Sequence, residues 1–183
     1  MRQPRLVVFG GRADGFTLLE VLIVVAVISV VAAIAMPGLI RARRTSREAA
    51  AIGSMRAINA AQATYASSCA KGGYAQALED LSKPAIGNVQ LFISPDIPAN
   101  GTVKSGFEFN LGPDVSAATV LAAGETCNSA SNDAVSNYFA EAHPSGTDVA
   151  GQRSFALDAR GIIFFAFDGH TIAPGMAGAA PLR

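Results

Sequence analysis

The residues able to do chemistry are few and scattered. Glu20 is the only charge in the apolar run Phe16 to Met36, which is 21 residues long. An acid inside an apolar helix costs several kcal/mol in lipid unless it is paired, so such a residue is functional by default. The bland alternative is a carboxyl that snorkels to the interface from near the start of the run. Two cysteines, Cys69 and Cys127, lie outside the run. They have no C-x-x-C spacing and no histidine close by for a zinc site. In an exported region, an oxidising compartment favours a disulfide between them. His143 and His170 stand apart in sequence. Asp158 and Asp168 could be calcium ligands, but they are not clustered in a ligand loop, which favours turn and capping roles. Neither a G-x-S-x-G elbow nor H-E-x-x-H nor a phosphate loop occurs, so the sequence gives an enzyme no support.

These residues must be positioned by three kinds of segment. The first fifteen residues are short and basic, with Arg2, Arg5 and Arg12 against Asp14, and end in Gly15. They read as a processing segment. In an ordinary secretory signal the cleavage site follows the apolar stretch. Here the charged segment abuts Gly15 and the apolar run follows it, so the run stays in the mature protein. As a helix it would span about 30 Å, the thickness of a bilayer core.

From Gly38 to about Tyr65 the chain is rich in Ala and Arg and reads as continuing helix. Ile52, Met55, Ile58, Ala61 and Tyr65 mark an apolar stripe, with Gln62 at its polar edge, and the helix should end near Ser67-Ser68. Tyr74 to Leu81 reads as a short helix, and residues 84–105 as loop with short extended pieces. Phe107 to Leu111, Ser136 to Ala142, Ser154 to Leu157 and Ile162 to Phe167 read as strands, the last two joined by a turn at 158–161. The tail from Ala173 reads as frayed. The expected fold is α+β: a long N-terminal transmembrane helix whose second half packs on a small antiparallel sheet of about four strands. Net charge is zero overall. Residues 38–66 carry five arginines against Glu48, while residues 67–183 hold six basic and eleven acidic side chains. No aromatic residues interleave with the arginines, so nucleic acid is not indicated.

Gly15-Phe16-Thr17-Leu18-Leu19-Glu20, followed by VLIVVAVISVVAAIAMP, resembles the class III leader of type IV pilins and type II secretion pseudopilins. The likeness runs from Arg12 to Pro37: Gly before the scissile bond, Phe after it, Glu four residues beyond Phe16, and the proline after the apolar stretch. Asp14 beside Gly15, and Ser29 where many relatives have Gly, depart from the pattern. The resemblance implies cleavage between Gly15 and Phe16 by a membrane-embedded prepilin peptidase, and N-methylation of Phe16. It implies a type IV pilin-like fold with a leader over 1–15, an N-terminal helix over 16–66 and a globular head over 67–183. Glu20 would neutralise the new amine of Phe16 on a neighbouring subunit. Pro37 would kink the helix, since it removes a hydrogen bond and clashes with the preceding turn. Cys69 and Cys127 would tie the helix to the head.

The implied function is a structural pilus or fimbrial subunit, with no cofactor. Its partners would be further copies of itself, minor pilins, the prepilin peptidase and the inner-membrane assembly platform. The precursor would sit in the inner membrane with its head in the periplasm. The leader arginines favour that orientation and the arginines at 41–47 oppose it by count; the N-terminal flank usually dominates. Assembled, it would lie in a cell-surface pilus or a periplasmic pseudopilus. The alternatives are a pseudopilin of a type II secretion system and, in a different class, a membrane-anchored periplasmic binding domain. Glu20 argues against the pseudopilin type that caps filament tips and lacks this acid.

Overall fold

The computed structural model describes residues 15–146 and 152–182. The chain divides into two compact units, Met1–Ala42 and Arg43–Arg183. One helix, α1 (Leu18–Ser68), begins in the first unit and continues in the second. In the first unit α1 is built from Val, Ile, Leu and Ala, and its large apolar side chains are exposed from Leu18 to Ile40.

In the second unit α1 buries Ala51, Ser54, Met55, Ile58, Ala61, Gln62, Tyr65 and Ala66. That stripe faces a six-stranded antiparallel sheet of order β1-β2-β5-β6-β7-β8. The strands are β1 (Thr102–Lys104), β2 (Phe107–Pro113), β5 (Tyr138–Pro144), β6 (Ser154–Asp158), β7 (Ile163–Ala166) and β8 (Ala180–Pro181). Between β2 and β5 a second ladder pairs β3 (Thr119–Leu121) with β4 (Ala134–Val135). Register fixes the two faces, because side chains alternate along each strand. Phe109 pairs with Ala142, which pairs with Phe155, which pairs with Phe165. These and Phe107, Leu111, Ala140, Leu157 and Ile163 form one core with Met55, Ile58 and Tyr65 of α1. Tyr138 locks the packing by donating its hydroxyl to Asn59 Oδ1 at 2.7 Å.

Alpha1 ends at the expected place, by a motif that satisfies its last carbonyls. Gly72 N–H reaches Ala66 O at 2.8 Å, and Lys71 takes the left-handed conformation with φ of 51°. The chain then passes very close to β4: a Cβ on Gly73 would lie 2.7 Å from that of Ala134, so only glycine fits there.

Four expectations are corrected. The sheet has six strands rather than about four, because β1 and the tail add an edge strand on either side. Only Leu78–Leu81 of the expected 74–81 helix is helical, as α2. Tyr74 is instead extended, exchanging backbone bonds with Val135 at 2.7 and 2.9 Å. Gln62 is not at a polar edge but fully buried, donating to Ala75 O at 2.8 Å and accepting from Ala75 N–H at 2.9 Å. The tail is docked rather than frayed. Ile172 is buried against Phe139 and Ala156 on the outer sheet face, with Met176 and Ala179 beside it. Leu182 N–H then bonds Ile163 O at 2.7 Å, and Pro181 sits on the edge strand β8, where no further ladder bond is asked of it.

Candidate functional site

The apolar helix opens on a defined cap. Gly15, Phe16 and Thr17 precede α1 and are not helical, and Phe16 is 80% exposed. The Thr17 hydroxyl accepts from Glu20 N–H at 3.2 Å, and Thr17 O accepts from Val21 N–H at 3.3 Å. Thr17 is thus the N-cap and Glu20 the third helical residue, the spacing of a capping box. Glu20 lies in the first turn, where the positive end of the helix dipole favours a carboxylate. Ser29, the remaining polar residue of the run, donates to Val25 O at 2.7 Å, so its hydroxyl is satisfied within the helix.

Among the described residues α1 is the one helix long and apolar enough to cross a membrane, and none of its apolar span is buried. Pro37 lies inside α1, which is helical on both sides of it. The leader residues Arg2, Arg5, Arg12 and Asp14 lie outside the described residues. Gly15, Phe16 and Glu20 are therefore brought together at the start of one helix, with Pro37 further along the same helix.

Cys69 and Cys127 form a disulfide, with Cα atoms 4.7 Å apart and a sequence separation of 58. It does not stand alone. Cys127 N–H bonds Cys69 O at 3.1 Å, and Ile86 N–H bonds Cys127 O at 2.9 Å. Asp80 of α2 is wholly buried and accepts from Ser131 N–H at 2.7 Å and from Asn132 Nδ2 at 2.9 Å. Asn128 donates to Asp80 O at 2.7 Å and Lys83 O at 3.1 Å. The loop after Cys127 is thereby tied to α2 as well as to the end of α1. Arg153 grips Glu48 of α1 through two nitrogens, at 3.0 and 2.5 Å, and its guanidinium sits 5.7 Å from the ring centres of Phe155 and Phe165.

Sequence reasoning missed one polar cluster. Glu141 is 5% exposed on the outer sheet face; Asn110 donates to it at 2.7 Å, and His143 Nδ1 lies 3.1 Å away. Glu108, paired with His143 across the strands, lies 3.8 Å from its Nε2. Burial pushes the Glu141 carboxyl above its ordinary range; Asn110 and His143 oppose the shift, and the Glu108 charge adds to it. The signal was present as alternation, Glu108-x-Asn110 and Glu141-x-His143, but only the strand register places the two runs opposite each other. Asp158 serves its own turn, accepting from the N–H groups of Arg160 and Ile162 at 3.1 Å each, and Asp168 accepts from His170 N–H at 3.1 Å. Among the described residues no group of three or more His, Cys, Asp or Glu is arranged to hold a metal. These contacts brace strands, turns and loops, leaving the start of α1 as the candidate site.

Residues 11–36 match the family described as the prokaryotic N-terminal methylation motif. This is the class III leader signature of type IV pilins and pseudopilins, and it points to a structural precursor that is anchored in a membrane. A search of curated proteins and a search of solved structures each return no match.

Proposed function

We propose that the protein, bearing this methylation motif at the head of an exposed apolar helix, is the precursor of a type IV pilus subunit. One observation carries the reading. The motif over 11–36 coincides with a junction, Gly15–Phe16, that lies outside α1, and a membrane-length helix starts immediately after it. A prepilin peptidase cuts after Gly15, whose missing side chain lets an extended segment enter a tight cleft, and the new amine of Phe16 is methylated. The helix anchors the precursor in the inner membrane and then leaves the bilayer for a filament core. There the Glu20 carboxylate of one copy meets the Phe16 amine of another. Each charge alone is costly in a lipid-like core, so the pair specifies axial register more than it adds net stability. Pro37 gives α1 a place to bend, and the chain divides into a leader over 1–15, an N-terminal helical segment over 16–66 that holds most of α1, and a head over 67–183.

Intact-mass and N-terminal analysis of filaments should find a chain starting at N-methylated Phe16. Glu20→Ala should be inserted and cleaved but yield few or no filaments, and Glu20→Gln should behave alike, since it keeps the shape and loses the charge. Normal filaments from fully processed Glu20→Ala would refute the pairing. Surface filaments whose main subunit is this chain would favour a pilus over a secretion pseudopilus.

A further inference from the structure

The first turn of α1 holds more than an anchor. Its start is set by one side chain, the Thr17 hydroxyl, which takes the Glu20 N–H at 3.2 Å. The peptide bond between Gly15 and Phe16 lies immediately before that cap and is not helical. A peptide bond inside a helix has its N–H and C=O engaged along the axis and side chains wrapped around it, so a peptidase must unwind it first. An N-cap stops this from happening, because the cap residue has extended backbone and its side chain replaces the bond the next turn would supply.

The sequence also offers a second residue of N-cap type upstream. Asp14 lies three residues before Thr17 and is itself a favoured N-cap type. A helix restarted from Asp14 would take Gly15 as its first residue and Phe16 as its second, and so enclose the bond. By residue type either Thr17 or Asp14 could cap a helix, and only a start at Thr17 leaves the Gly15–Phe16 bond outside it.

We propose that Thr17 is a positioning residue for leader removal: its hydroxyl caps α1 and keeps the Gly15–Phe16 bond outside the helix, in the extended form a peptidase can bind. This deepens the precursor reading and rests on it. Thr17 touches neither reacting atom and acts through the conformation of the two residues before it.

The test is the initial cleavage rate of full-length precursor in membranes by the leader peptidase, at low substrate concentration. The variants are Thr17→Ser, Thr17→Asn, Thr17→Val, and Thr17→Val combined with Asp14→Ala. Val has the shape of Thr without the hydroxyl, whereas Ser and Asn keep the capping function with different shapes. Ser and Asn should cleave within about twofold of wild type. Val should be about fivefold slower, the ratio set by a capping difference of about 1 kcal/mol. Adding Asp14→Ala should recover most of the loss by removing the competing cap. NMR backbone shifts of Gly15 and Phe16 should move toward helical values in Thr17→Val and return in the double variant. Val at the wild-type rate would overturn the proposal. So would Ser as slow as Val, or a slow Val variant with extended shifts and no recovery, since the peptidase would then be reading the side chain directly. A wild-type precursor that is not cut after Gly15 would instead overturn the precursor reading on which the proposal stands.

Discussion

Gln62→Leu should destabilise the second unit by about 1–5 kcal/mol. Gln62 lies in the middle of the buried stripe of α1, and its amide pairs with both backbone groups of Ala75, at 2.8 and 2.9 Å. Ala75 is itself 1% exposed, so water cannot replace those bonds without opening the core. Leucine leaves one N–H and one C=O orphaned, each costing about 1–3 kcal/mol. The added apolar burial returns about 1 kcal/mol. Gln62→Glu separates the two bonds. A carboxylate can accept from Ala75 N–H but cannot donate to Ala75 O, whereas a carboxylic acid can do both. Its folded pKa should therefore exceed its unfolded value. The variant should be most stable below the unfolded value and lose stability as pH rises through the folded one. Urea unfolding of the full chain in detergent, followed by tyrosine fluorescence, measures both. The chain has three tyrosines and no tryptophan, and all three tyrosines lie in the second unit. A Gln62→Leu loss below about 0.5 kcal/mol, or a Gln62→Glu variant indifferent to pH, would refute the reasoning.

The Cys69→Ala/Cys127→Ala pair should keep its native circular dichroism yet lose about 2–4 kcal/mol in urea. A loop closed over 58 residues is worth about 4 kcal/mol at most in the chain-entropy model, and the backbone bonds around the bridge remain; a loss under about 1 kcal/mol would count against it. Glu141 ionises above its ordinary range because it is buried, so its stabilising contribution is complete below the unfolded carboxyl pKa and is lost as pH rises through the folded one. Glu141→Gln should remove that decline, measured as the difference in urea stability between wild type and variant from about pH 4 to 7. An unchanged difference across that range would show that Asn110 and His143 already compensate the charge, despite Glu108.

What was legible in the sequence was local. The methylation motif over 11–36, the length of the apolar run and the end of α1 depend on neighbours within a few residues, where residue type and spacing settle the outcome. The α+β architecture followed from periodicity, and the inner-face alternation of Phe107, Phe109 and Leu111 was visible as such. What was not legible depended on distant partners. Gln62 occupies a buried step, four residues after Ile58 and three before Tyr65. Its polarity pushed it off the stripe on paper, because nothing in the sequence announces that the backbone of Ala75 awaits it. The tail from Ala173 differs for the opposite reason: its Gly, Pro and Ala content hides Met176 and Ala179, which pack beside Ile172 on the outer sheet face. Glu141 became interesting only when strand register set it beside Asn110 and His143.

The same accounting of polar groups explains why Glu20 differs from its neighbours in the apolar run. The run contains three polar side chains, Thr17, Glu20 and Ser29. A hydroxyl can be answered inside its own helix: Ser29 gives its proton to Val25 O, and Thr17 takes the N–H of Glu20. Such residues can enter lipid at little cost. A carboxylate differs, because the free N–H groups of the first turn can offer it hydrogen bonds but cannot neutralise its charge. Its position in that first turn, at the positive end of the dipole, softens the cost but supplies no full charge. A cation must come from outside the helix. On the proposed reading, the nearest chemistry able to provide one is the cleavage four residues upstream, which makes an amine where there was an amide. An uncut chain then has no amine at that position to offer a neighbour, so the acid that anchors the filament register also discriminates against unprocessed subunits.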